Sequence, residues 1–460
     1  MLDLFVNPYA GSYKNRWFWD SALNVLERLP GFPESVSRKI RGATREEDYL
    51  FERAYRSADK YGRILRNRGL THVTATLPEF RKELAQSMRN RPNSPKIICS
   101  GDGGIKEAKT TAITYADRHN TLEEKIAQAF DTLILAGNGF FMNINVQDFL
   151  GKIQLPEAQS RSRLSPLART VMREKQADFD VLKGHLELDE QEKKFVEDYD
   201  VSFQDLLEGP VPYPTFGIVG GGTFNVLAHN FELEKGPKYL QSLLRQNEEG
   251  VMKCSPYQPL QVTLDGGKQL YGTIYGHGLI HAFFQLYYRG KVTPGPMKAA
   301  YISFLYSKFH KENFAELTKS KKYSYKVTHG NGTVEAFTYE TSLAVATTIG
   351  RLPFNIEFFN PAKNSIHFSA TNRPAPDMVA KGVLSIPTFR KSVGMFGVKD
   401  TYDVEHDYQK ATRVTISGDS VNFMLDGDIA DETPYAASQV ELALGPELKI
   451  IDPNGFHEVI

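Results

Sequence analysis

The sequence predicts two folds in series: an α/β fold on a parallel sheet, then an all-β sandwich. Three observations carry that expectation. Short apolar runs alternate with helically spaced apolar residues through about residue 255. From about Pro259 to Ile416 the pattern changes to period two, broken by glycine-rich turns. The chain has 460 residues, more than one ordinary domain holds.

The elements follow in order. Leu2 to Val6 is an apolar run ending at Asn7-Pro8, a buried strand entering a turn. Phe18, Ala22, Val25 and Leu26 recur at helical spacing. His72 to Thr76 is β-rich, and Pro78 opens a helix with Phe80, Leu84 and Met88 on one face. Lys96 to Cys99 is a strand, followed by a glycine loop and a helix lined by Ile105, Ala108, Ala112 and Tyr115. Thr132 to Ala136 and Thr215 to Val219 read as further buried strands. In the second half, Leu260–Leu264 and Gln269–Ile274 flank Asp265-Gly266-Gly267, and Tyr323–Thr328 and Thr333–Tyr339 flank Gly330-Asn331-Gly332. Both are hairpin signals. Val414, Ile416, Val421 and Phe423 continue the β pattern. Between the halves, residues 140–212 run from apolar through basic to acidic and predict short helices.

Bulk composition narrows the function classes. The 55 basic side chains balance the 55 acidic ones, which argues against nucleic acid as a partner. Two cysteines, Cys99 and Cys254, cannot form a disulfide framework, so a reducing compartment and hence the cytoplasm is expected. The N-terminus, with Asp3 early and no long apolar run, does not read as a signal peptide. No stretch reaches the roughly 18 apolar residues of a membrane span. Ile274 to Tyr288 comes nearest, but His277, His281 and Gln285 interrupt it.

Four motifs carry chemistry. Ser100-Gly101-Asp102-Gly103-Gly104 lies between a strand and a helix, where glycine backbone and unpaired helix N–H groups can meet a phosphate. Asp102 in such a place calls for a Mg²⁺ ion or a hydroxyl proton to accept; the bland alternative is a helix cap. Gly220-Gly221-Gly222-Thr223-Phe224-Asn225 has the same strand–loop–helix setting. Thr223 can donate to a phosphate or ligate Mg²⁺, and Asn225 can hold the loop or a ribose. Neither loop has Walker or dinucleotide spacing. Asn7-Pro8-Tyr9-Ala10-Gly11 and Asp426-Gly427-Asp428 read in isolation as turns.

In this order and on these elements, the four motifs resemble the diacylglycerol and sphingosine kinase superfamily, from Leu2 to about Pro453. Ser100 through Glu107 follows that family's glycine loop, and Gly221 to Ala228 is similar to the form in bacterial relatives. Thr76 stands where the family has a nucleotide-contacting threonine. The resemblance implies an ATP-dependent kinase acting on a lipid hydroxyl at a membrane surface, with Mg²⁺. It implies an NAD kinase/diacylglycerol kinase-like plan, with ATP in the cleft between an α/β and a β-sandwich domain. Asn7, Gly11, Thr76, Ser100, Gly101, Asp102, Gly103, Gly104, Glu107, Gly222, Thr223, Asn225 and Asp426 would line the nucleotide site. Asp102 and Asp428 are the two candidates for the proton-accepting base. The expected division is 1–255 for the nucleotide domain with the 140–212 insertion, 256–435 for the substrate domain, and 436–460 for a strand returning to the first. A homodimer is compatible with this plan; no protein metal ligands are assigned.

The chain also departs from the pattern. Gly104 replaces a threonine hydroxyl, Lys106 replaces a polar neighbour and brings a charge, and Asp428 is one methylene shorter than the usual glutamate. Phe140, Phe141, Ile144, Phe149 and Leu150, near Arg161, Arg163, Arg169 and Arg173, fit a lid or membrane-docking element. An NAD kinase-like small-molecule kinase and a catalytically silent nucleotide binder are the alternatives. Asn7 to Gly11 favours the lipid branch, while Gly104 and Asp428 favour silence. His277 and His281 have a metal-ligand spacing only if helical, against which Gly276 and Gly278 argue. Cys99 ends an apolar strand and reads as core.

Overall fold

A computed structural model describes residues 2–6, 69–73, 76–135, 188–202, 205–206, 209–220, 226–233, 237–288, 319–350, 364–373, 405–428, 435–452 and 455–459. In chain order the elements begin with β1 (Leu2–Val6), β2 (Gly69–Val73), α1 (Leu77–Asn90), β3 (Lys96–Ser100), α2 (Asp102–Leu135) and α3 (Glu190–Tyr199). They continue with β4 (Thr215–Gly220), α4 (Val226–Asn230), α5 (Pro237–Glu248), β5 (Val251–Tyr257), β6 (Leu260–Leu264), β7 (Gln269–Gly272), β8 (Ile274–Gly278) and α6 (Leu279–Tyr288). The remaining strands are β9 (Lys321–His329), β10 (Val334–Thr341), β11 (Leu343–Thr347), β12 (Ile366–Thr371), β13 (His406–Leu425), β14 (Tyr435–Leu444), β15 (Leu448–Ile451) and β16 (Phe456–Val459). The expected helix around Phe18, and residues 140–187 with the expected docking residues, lie outside the described residues.

The N-terminal region is built on a parallel sheet and the C-terminal region is all β. The first sheet has the order β16-β5-β15-β4-β3-β1-β2. β2, β1, β3, β4 and β15 run parallel, while β5 is antiparallel to β15 and β16. All five residues of β3 are buried, as a central parallel strand requires. Lys96 and Asp3 break the apolar pattern together: they are register partners, and Lys96 Nζ donates to Asp3 Oδ2 at 2.9 Å inside the sheet. Leu448–Ile451 lies in this sheet, paired with β4 and β5.

The second sheet has nine strands. The two hairpins read from the sequence are present, β6–β7 and β9–β10. The 20-residue β13 pairs with β12 along one part of its length and with β8 near its end, while β12 reaches β8 through β11. The sheet therefore closes on itself around one apolar core that includes Val262, Tyr275, Val327, Phe368, Val414, Ile416, Phe423 and Leu442. β14 still belongs here, paired with β13 and β6, so the chain leaves this sheet after Leu444 rather than at 435.

The chain divides into two compact units, and they do not follow the two halves of the sequence. One comprises Met1–Ala75, Pro95–Thr110 and Thr215–Ile460, and so holds both sheets. The other comprises Thr76–Ser94 and Thr111–Pro214. In this helical unit Thr76 Oγ1 caps α1 by accepting from Glu79 N, and Asp189 with Glu192 forms a capping box on α3. Tyr115, Phe195 and Tyr199 pack ring against ring, and Arg89 pairs with Asp205 at 2.8 Å. No described helix is long and apolar enough to cross a membrane.

Candidate functional site

Strand order locates the place where a ligand is expected. β1 has β2 on one side and β3 on the other, so the chain reverses its direction of travel through the sheet between β1 and β3. In open α/β sheets such a switch point, at the carboxyl ends of the strands, is where ligands bind. β3 ends at Ser100, Gly101 alone follows it, and α2 begins at once with Asp102. Ile105 N already donates to Gly101 O at 3.0 Å, so the helix is formed from its first turn. The amides of that turn have no carbonyl four residues earlier in the helix to bond, which makes them donors for an anion. Among the described residues, a side chain at Gly103 would meet no atom within 4 Å.

β4 lies beside β3 in parallel, and Ser100 pairs with Gly220 at the last register position. The two glycine loops, far apart in sequence, thus leave the sheet side by side. Residues 221–225, with the predicted Gly222, Thr223 and Asn225, lie outside the described residues, as do Asn7 and Gly11. The chain resumes at α4, where Val226 N donates to Asp102 Oδ1 at 2.7 Å. Asp102 therefore caps the helix after the second loop while opening the helix after the first. Ser100 and Glu107 are buried. Thr76 is engaged as the α1 cap in the helical unit.

The third motif reaches the same helix. Asp426 and Gly427 have φ values of 52° and 78°, and Leu425 and Asp428 exchange backbone hydrogen bonds around them. Positive φ at both central residues is what a type I′ hairpin turn requires, and Asp-Gly is its preferred sequence. The motif is a turn, yet its carboxylates do not simply face water. Asp426 Oδ1 accepts from Thr273 N at 2.7 Å and Ile274 N at 2.8 Å. Asp426 Oδ2 accepts from Lys109 Nζ at 3.1 Å, and this pair is sealed, with side chains 2% and 4% exposed. Lys109 also donates to Thr273 Oγ1 at 2.7 Å and Tyr257 OH at 3.3 Å, so each of its three N–H bonds has an acceptor. Burial works to lower the Lys109 pKa, but the Asp426 charge and the Tyr257 hydroxyl outweigh it, and the net shift is upward. Burial raises that of Tyr257.

One turn earlier on α2, Lys106 donates to Asp428 Oδ2. Here the lysine side chain is 4% exposed and the carboxylate 38%. The inner pair is closed off; the outer pair presents its acid to solvent. Composition and motif order flagged Lys106 as a charge but missed Lys109, Thr273 and Tyr257. The available signal was two lysines three apart on a helix otherwise lined by Ile105, Ala108 and Ala112, all buried.

The other candidate residues resolve differently. His277 lies on β8 and His281 on α6, so their spacing is not helical. His277 is held between the hydroxyls of Tyr275 and Tyr325, each at 3.1 Å. Burial, then His281, pulls its pKa down to about 3; burial, then Lys321, pulls His281 down to about 4. Burial pushes the Cys99 thiol far up, which leaves it inert as a nucleophile. Among the described residues no three His, Cys, Asp or Glu side chains gather as a metal site.

No protein-family model matches the chain, and no curated protein matches it. Its structural neighbours are diacylglycerol kinase-like proteins. Three are solved structures from Bacillus anthracis str. Sterne named as diacylglycerol kinases, two of them provisionally. They share 10%, 11% and 12% sequence identity with this chain, at TM-scores of 0.43, 0.45 and 0.43. In each case 98% of this chain is covered, against 97%, 97% and 96% of the other.

Proposed function

We propose that this chain is an ATP-dependent lipid kinase that transfers the γ-phosphoryl group to a hydroxyl of a diacylglycerol- or sphingoid-type lipid, with the two-domain plan of diacylglycerol and NAD kinases. The observation that carries this reading is the convergence of three motifs on one helix start. Two glycine loops leave adjacent parallel strands beside α2, and the Asp426-Gly427-Asp428 turn is ion-paired to the same helix. On this reading the protein works in the cytoplasm and meets its lipid at the membrane surface.

The donor set fits a nucleotide polyphosphate that arrives with Mg²⁺. First-turn amides from Gly103 and Gly104 supply neutral donors; Asn7, Gly11, Thr223 and Asn225 are the further contacts that the order of the motifs suggests. The two lysines bring no net positive charge, because each is already paired. Asp102 and Glu107 add negative charge to the same helix. A divalent cation carried on the phosphates offsets that charge, and Mg²⁺ typically needs only one or two carboxylates besides phosphate and water. Asp102 is the carboxylate at the loops; Asp426 is spent on Lys109 and two backbone amides and serves as an anchor.

Catalysis here is positioning plus charge stabilisation. Backbone amides of the first loop hold the phosphates, and the lipid hydroxyl oxygen bonds to the γ-phosphorus as the bond to the β–γ bridging oxygen breaks. The hydroxyl proton passes to Asp428, the exposed acid of the turn, and ADP leaves.

ATP turnover on detergent micelles carrying dioleoylglycerol or sphingosine, with and without Mg²⁺, tests the reading. Asp428→Ala should lower kcat by about 10²-fold, the usual cost of a lost general base. Asp102→Asn retains an oxygen to accept from Val226 N but removes the charge. It should cripple turnover with the fold intact if the charge matters, and should be tolerated if Asp102 is only a cap. Nucleotide binding without turnover on either lipid would make the protein a silent nucleotide binder and refute the kinase reading.

A further inference from the structure

We propose that Lys106 is a positioning residue for phosphoryl transfer: its buried ammonium holds Asp428 in place at the glycine-loop helix. This rests on the lipid kinase reading above and extends it to a residue outside the four motifs.

The argument starts from the asymmetry of the two ion pairs. Lys106 and Lys109 are three apart on α2 and therefore on one side of it. Asp426 and Asp428 are two apart and joined by a turn whose backbone is closed by the Leu425–Asp428 bridge. Two points of attachment thus fix a rigid turn to a rigid helix. The inner point has no freedom, since Asp426 is bonded on both oxygens and Lys109 on all three donors. The outer point is different. Lys106 is buried, so its ammonium cannot retreat into water, while Asp428 is more than a third exposed and can meet a second partner.

A carboxylate that takes a proton from an alcohol must sit within hydrogen-bond reach of it in a defined direction. Asp428 stands at the end of a hairpin, and its backbone is fixed by the turn, but its side chain is solvated on one side. The Lys106 ammonium adds a constraint to the one the turn supplies: it holds Oδ2 of a carboxylate that is still more than a third exposed. Lys106 would also keep Asp428 beside the phosphate loops without contributing net charge to them. The neighbouring pair on the same turn and helix is Lys109 and Asp426. Lys109, Asp426 and Tyr257 are bound to one another.

The experiment is steady-state ATP turnover on dioleoylglycerol or sphingosine micelles by Lys106→Met, Lys106→Arg, Asp428→Ala and the double variant Lys106→Met/Asp428→Ala. Lys106→Met should lower kcat by up to about 10²-fold, the scale of a misplacement of about 1 Å. The KM for ATP should stay within about twofold. Lys106→Arg, which can still hold the carboxylate, should recover most of the lost kcat. In the Asp428→Ala background, Lys106→Met should cost less than about twofold more. A rise in the KM for ATP with kcat unchanged would overturn the proposal, because Lys106 would then be a phosphate ligand. Additive losses in the double variant would overturn it as well. The wild-type protein and the same four variants are melted in parallel. Non-additive midpoints for Lys106→Met and Asp428→Ala report the pair itself, whether or not either lipid is a substrate. If the midpoints couple but no variant and no wild-type protein turns over ATP, the kinase reading fails while the pair stands; if they do not couple, the positioning role fails.

Discussion

Lys109→Met is the sharpest test of how the two sheets are held in one unit. The substitution keeps the aliphatic stem and removes the ammonium. Asp426 then remains buried as a carboxylate with two backbone amides but no cation. Removing one partner of a sealed ion pair costs about 3–5 kcal/mol, because the other charge stays in a low-dielectric site. The figure needs no reduction for solvent screening, since neither side chain exceeds 4% exposure. Tyr257 and Thr273 also lose a donor, which works in the same direction. The double variant Lys109→Met/Asp426→Asn should be less damaged than Lys109→Met alone, because it leaves no uncompensated charge. Urea unfolding followed by circular dichroism reads both values. A loss below about 1 kcal/mol for Lys109→Met would refute the claim that the pair is dry. The pH dependence gives an independent reading. The folded-state pKa of Lys109 lies above that of an unfolded lysine, about 10.4. Its contribution is therefore complete at neutral pH and is lost as pH rises through the higher, folded value. Lys109→Met should lack that alkaline loss.

Two further outcomes follow from groups away from the site. His277 and His281 titrate near 3 and 4 in the folded chain against about 6.5 when unfolded, so the unfolded state binds more protons as pH falls from about 6.5. Stability should decline through that window, and His277→Gln should reduce the slope of melting midpoint against pH, whatever it does to the midpoint at pH 7. In the helical unit, Asp205 accepts from Arg89 and from both Ser202 N and Ser202 Oγ at 2.7 Å. Arg89→Met should weaken this arrangement by about 1.5–3 kcal/mol, the range for hydrogen bonds to a charged group. Faster amide exchange at residues 202 and 205, with β3 and β4 unchanged, is the expected signature.

What the sequence makes legible is the part decided locally. β3 and β4 are readable because a central parallel strand must be apolar on both faces, and the two hairpins because Asp-Gly and Asn-Gly steps favour their turns. The helix after the first loop is readable from Ile105, Ala108, Ala112 and Tyr115, all of which are buried. The paired charges are not. Asp3 and Lys96 are far apart in sequence, and only the parallel register sets them side by side. Lys106 and Lys109 look like an ordinary solvated helix face until β13 delivers two acids to them. The end of the second sheet is not legible for a related reason: what keeps β14 in it is pairing with β13 and β6, which no local pattern reveals.

The Asp426-Gly427-Asp428 motif is a turn whose two acids are also paired to α2. A type I′ turn needs a residue that tolerates positive φ at its first central position, and aspartate does so more readily than most. That requirement accounts for Asp426 as a conformer, and the amides of Thr273 and Ile274 then make use of its carboxylate. Asp428 follows the turn and has no such conformational duty, so its identity is free to serve chemistry. Its short side chain suits the geometry, because the partner that holds it is a long lysine reaching from α2 rather than another turn.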